Sequence, residues 1–99
     1  MKRRQGFEKV EEEIAREKAA ALGRAGERLD AALEEARVLG EVLDAEIDPA
    51  RRPARLRAYE DARRRAEFAR MMLLVQREAI GLRHHRVVDQ QFPEPPRRS

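Results

Sequence analysis

From Phe7 to Ile47 apolar side chains return every three or four residues, at Phe7, Val10, Ile14, Leu22, Ala25, Leu29, Ala32, Ala36, Leu39, Leu43 and Ile47. That spacing follows the α-helical turn and predicts one long helix over about 7–47, with Lys18 the one misfit on its apolar face. Written as an eleven-residue repeat, the columns Val10, Ala21, Ala32, Leu43 and Ile14, Ala25, Ala36, Ile47 keep the seam straight or slightly right-handed. A second stripe, Leu56, Tyr59, Ala62, Ala66, Ala69, Leu73, Gln76 and Ile80, predicts a second helix over about 50–81. Leu82, Val87, Val88 and Phe92 then suggest a shorter helical segment, 82–92, packing back.

The breaks are equally informative. Asp48-Pro49 reads as an N-cap followed by a proline suited to the first helical turn, and Pro53 offers an alternative start a few residues later. Gly81 either ends or bends the second helix. Gly23 and Gly26 each cost a helix interior about 1 kcal/mol relative to alanine. They either break the first helix or, with Ala15 and Ala19, form a strip of small residues that lets another helix approach closely. A short connection between two long helices makes an antiparallel hairpin.

The run Met71 to Val75 complicates that picture. Consecutive helical residues point all round the axis, so only Leu73 belongs to the stripe, and Met71, Leu74 and Val75 lie toward the side of Phe68. Two helices have little to cover that second face. Pairing of two hairpins into a four-helix bundle, or docking on another helical protein, is the economical solution. Gln76, Arg77 and Glu78 fall at the edge of this face, where a hydrogen-bonded or ion-paired network would fix the register of an Ala/Leu contact. The expected interface is therefore Gly23, Gly26, Phe68, Met71, Leu74, Val75, Gln76, Arg77 and Glu78.

Charge separates along the chain. Residues 7–48 hold thirteen acids against six bases, and residues 49–70 hold eight arginines against three acids. Antiparallel pairing lays the basic start of the second helix along the acidic end of the first, and Glu12 to Arg16, Glu60 to Arg64 and Asp61 to Arg65 add local i,i+4 pairs. The arginines at 51, 52, 55, 57, 63, 64 and 65 also support an alternative reading as a nucleic-acid surface. The acidic first helix, the lack of aromatic stacking platforms and the absence of a helix-turn-helix or zinc spacing disfavour it.

Composition narrows the chemistry. The 99 residues make one domain, 7–92, flanked by a basic tail at 1–6 and a mobile Pro/Arg-rich tail at 93–99. There is no Cys, Thr or Asn, and the only Ser is the last residue, which excludes thiolate metal sites and disfavours covalent catalysis. Glu78, His85 and Asp89 would share a face if the second helix continued, making a weak metal candidate; otherwise no metal or cofactor is expected. The basic start lacks an apolar stretch behind it, and no apolar run approaches the roughly 20 residues of a membrane span, so a cytoplasmic protein without membrane contact is expected.

The blocks Glu13-Ile14-Ala15-Arg16-Glu17-Lys18-Ala19 leading into Ala21-Leu22-Gly23-Arg24-Ala25-Gly26-Glu27-Arg28-Leu29, and Val75-Gln76-Arg77-Glu78-Ala79-Ile80-Gly81-Leu82-Arg83 with His85, resemble a family of small bacterial helical domains of unknown function. The resemblance implies a helical bacterial protein and brings no activity with it. The two blocks lie at similar distances from the Asp48-Pro49 turn, so a hairpin would set them side by side. Together these readings predict an all-α, non-enzymatic, self-associating interaction module with coiled-coil character, most simply a homodimer.

Overall fold

A computed structural model describes residues 2–99, with side chains from Gly6 onward; Met1 lies outside the described residues. The chain is an antiparallel hairpin of α1 (Lys2–Ala45) and α2 (Arg52–Ala79), followed by a short α3 (Arg86–Gln91) and an extended tail. It measures 73 × 20 × 15 Å. Strands are absent among the described residues.

α1 runs unbroken through Gly23 and Gly26 and includes the backbone of residues 2–6, which the sequence assigned to a tail. The helix formers on either side outweigh two glycines. A Cβ built at Gly23 or Gly26 would meet nothing within 4 Å, so the expected close approach of α2 at these positions does not occur. The close approach is instead at Gly40, where a Cβ would stand 2.9 Å from Cε1 of Tyr59.

Helix ends follow local chemistry. α1 stops at Ala45, which leaves Ile47, the last member of the predicted stripe, 93% exposed in the connection. Asp48 organises that connection rather than capping α2: its Oδ1 accepts the Ala50 N–H at 2.9 Å, and its carbonyl accepts the N–H groups of Arg51 and Arg52. α2 starts at Arg52 because Pro53 fits its first turn. At the other end Gly81, at φ +92°, terminates α2 with the two bonds of a Schellman motif, Gly81 N–H to Glu78 carbonyl and Leu82 N–H to Arg77 carbonyl, both 3.0 Å.

The core is narrow. Ala25, Leu29, Leu73 and Val88 are buried together, with Leu22, Leu33, Ala69, Leu74 and Phe92 packed around them. Ala36, Leu43, Tyr59, Ala62 and Ala66 are also buried, toward the turn. Val88 and Phe92 bring α3 onto this seam, and Leu74, which the sequence had placed on the outer face with Met71, is half-buried against the same cluster.

Charge complementarity between the helices is present. Arg65 donates to Glu35 from Nη2 at 2.7 Å and from Nε at 3.3 Å, and Arg55 Nε reaches Glu46 at 3.2 Å. The expected local pairs at Glu60–Arg64 and Asp61–Arg65 give way to these: Arg64 pairs with Asp61, and Arg65 turns to Glu35 across the hairpin. Arg16 donates to the carbonyl of Glu12 rather than to its carboxylate.

Candidate interaction surfaces

Two surfaces stand out, on different sides of the hairpin. The first is apolar. α2 is shorter than α1: Gln76 in its last turn and Ile80 just after it border grooves with positions 11–24 of α1. Beyond that point α1 continues alone. Phe7, Val10 and Ile14 are 65%, 51% and 45% exposed, although they fall on the same helical face as the buried Ala25, Leu29 and Ala36. The face that α2 covers further along thus runs on uncovered from Ile14 to Phe7, about 10 Å.

Phe68, Met71, Met72 and Val75 form a second exposed stripe on the outside of α2, at the i, i+3, i+4, i+7 spacing of one helical face. Of the predicted interface residues, Phe68, Met71 and Val75 lie on this stripe and Leu74 is half-buried against the core. Gln76 borders a shallow groove with Ile14 and Arg24.

The structure gives Arg77 and Glu78 a different task from setting the register with the glycines. Arg77 donates from Nε to His85 Nδ1 at 3.2 Å and from Nη2 to the His84 carbonyl at 2.8 Å. With Nδ1 accepting from Arg77, Nε2 is the ring nitrogen left to donate, and it faces Glu78 Oε1 at 3.2 Å. These contacts pin the chain as it leaves α2. Asp89 turns away to Arg70 at 2.9 Å, so Glu78, His85 and Asp89 are not gathered into a metal-ligating group. The cause is the end of α2 at Ala79, which removes the common helical face that the sequence reading required.

The second surface is polar, and sequence reasoning missed it. Arg52, Tyr59, Arg63, Arg70 and Arg77 are spaced by seven, four, seven and seven residues, which puts them on one flank of α2. Each donates to a main-chain carbonyl of the C-terminal segment. Arg77 bonds His84 at 2.8 Å, Arg70 bonds Phe92, Arg63 bonds Pro95 at 3.3 Å, Tyr59 bonds Pro96 at 2.5 Å and Arg52 bonds Ser99 at 3.1 Å. Arg98 adds the return contact, lying 5.5 Å from the Tyr59 ring centroid while its Nη1 pairs with Asp44 at 3.1 Å. The tail, read from sequence as mobile, is laid along the hairpin by this row of donors.

Contacts within the chain engage six of the seven arginines that suggested a nucleic-acid surface, and Arg57 is exposed. Arg52 and Arg63 hold the tail, and Arg52 also donates to the Leu43 carbonyl at the end of α1. Arg51, Arg55, Arg64 and Arg65 pair with Asp48, Glu46, Asp61 and Glu35. The hydrogen bond from Arg55 holds the Glu46 carboxyl below the usual glutamate range, and that from Arg37 does the same for Glu34. No helix among the described residues is long and apolar enough to cross a membrane. No protein-family model, curated protein or solved structure matches the chain.

Proposed function

We propose that the chain is a self-associating helical interaction module, working by helix packing rather than by catalysis, with a second copy of itself as partner. The observation that carries this reading is the uncovered continuation of the α1 seam at Phe7, Val10 and Ile14. A second copy placed antiparallel supplies to this overhang the neighbouring helix that α2 supplies to the rest of α1, and two-fold symmetry repeats the contact. The stripe Phe68, Met71, Met72 and Val75 gives each copy an apolar outer face to offer in return. The pairing of Arg51, Arg55, Arg64 and Arg65 with carboxylates of the same chain weighs against a nucleic-acid role, because a phosphate-binding surface needs uncompensated positive charge.

Placing a carboxylate on the overhang tests the reading without touching the core of one copy. Val10→Glu with Ile14→Glu is expected to leave far-UV circular dichroism per residue helical and to reduce the mass measured by light scattering to that of one chain. An unchanged assembly in this variant would place the contact elsewhere.

A further inference from the structure

We infer that the flank of α2 carrying Arg52, Tyr59, Arg63 and Arg70 is a binding site for extended proline-rich peptides, held in cis by the chain's own Pro93-Glu94-Pro95-Pro96-Arg97-Arg98-Ser99. The inference stands apart from self-association, since the flank lies roughly 150° around α2 from Phe68, Met71 and Val75 at 100° per residue.

The chemistry of the two sides matches. Three of the seven tail residues are prolines, which lack an N–H, so the strand offers carbonyl oxygens and few donors. The flank answers with donors alone: the guanidinium groups of Arg70, Arg63 and Arg52 and the Tyr59 hydroxyl reach the carbonyls of Phe92, Pro95, Pro96 and Ser99. The dimensions match as well. α2 rises about 27 Å between Arg70 and Arg52. Seven residues in a polyproline II strand cover about 22 Å, within reach of arginine side chains, whereas a helix of that length would cover about 10 Å. Proline holds the strand in that extended form before it docks, which lowers the entropy lost on binding.

Specificity comes from the end nearest the turn. Gly40 lets the Tyr59 ring lie against α1, and the ring presents a face to Arg98, which Asp44 holds from the other side. The recognised pattern is therefore Pro-x-Pro-Pro-x-Arg. Every donor addresses a main-chain carbonyl, so the site reads the shape of the strand and only the final arginine by side chain.

The test keeps the full chain and empties the site by substitution in the tail. A variant with Pro95→Gly, Pro96→Gly and Arg98→Ser is titrated against a fluorescent peptide carrying residues 92–99 of the unaltered sequence, and anisotropy is read. The peptide is expected to bind the variant at least about tenfold more tightly than the unaltered chain, where the tethered tail competes at an effective concentration on the order of millimolar. Adding Tyr59→Phe is expected to weaken peptide binding by about threefold to tenfold. Equal affinity for both chains, no saturable binding, or binding that Tyr59→Phe leaves unchanged would overturn the assignment, provided circular dichroism shows the hairpin helical in each variant. A polyproline peptide of the same length without arginine identifies the source. If it binds comparably, the site takes proline-rich strands in general; if it does not, the site is dedicated to this tail, from the same chain or a second copy.

Discussion

The ring of Tyr59 lies directly against the backbone of Gly40, so close that a methyl group at position 40 would stand 2.9 Å from Cε1 and 3.4 Å from Cδ1. Tyr59 is buried, 2% exposed, and its hydroxyl is tied to Pro96, so the ring has no free direction in which to yield. Gly40→Ala is expected to destabilise the hairpin by about 1–3 kcal/mol in urea unfolding, despite the better helix propensity of alanine. Gly23→Ala and Gly26→Ala, which face open space, are expected to stabilise by about 0.4–1 kcal/mol each. The reverse order would mean that α2 approaches α1 closely at Gly23 and Gly26 and not at Gly40.

This contrast shows what was legible in the sequence. The two apolar stripes carried the hairpin, because helical periodicity records which face is buried. They carried no information on which glycine is needed, since that depends on a ring nineteen positions away. Comparing the predicted lengths of α1 and α2 would have exposed the overhang, but the sequence reading turned to Met71–Val75 instead. The row of donors on α2 was hidden for another reason: its partners are main-chain carbonyls, which have no residue type to recognise. The available signal was the spacing of Arg52, Tyr59, Arg63, Arg70 and Arg77 on one helical face together with a tail rich in proline.

Loss of a single donor should loosen the tail more than the hairpin. Arg63→Ala is expected to cost about 1 kcal/mol of global stability. Backbone order parameters should fall at Arg97, Arg98 and Ser99, while amides of α1 near Leu29 stay protected from hydrogen exchange. Arg77→Ala should have the corresponding effect at residues 84–92, through its bonds to His84 and His85. Faster exchange throughout α1 and α2 in either variant would show that the tail is part of the cooperative core.

Burial ranks the apolar stripe of α1 sharply. Leu29 and Leu43 are wholly buried, and each truncation to alanine is expected to cost about 2–5 kcal/mol. Ile47→Ala, in the connection, is expected to change stability by less than about 0.5 kcal/mol although its spacing continues the stripe. Comparable losses at Ile47 and Leu43 would mean that α1 runs on past Ala45.

The clasp near the turn has a definite pH dependence. Arg55 lowers the Glu46 carboxyl below the ordinary glutamate value of about 4.3. A depressed folded-state pKa contributes stability above the unfolded value, and that contribution is lost as pH falls through the folded one. Arg55→Gln should therefore lower the urea midpoint at pH 6, with the difference from the unaltered chain shrinking as pH falls below the ordinary glutamate range. A difference that stays constant across this range would assign the effect to packing of the arginine stem.

Sedimentation equilibrium of the unaltered chain over micromolar to hundred-micromolar concentrations reads self-association through the seam that α2 leaves uncovered. The expected result is a reversible shift toward twice the 11.5 kDa mass of one chain, abolished by Val10→Glu with Ile14→Glu. A single species at 11.5 kDa across the whole range would contradict it.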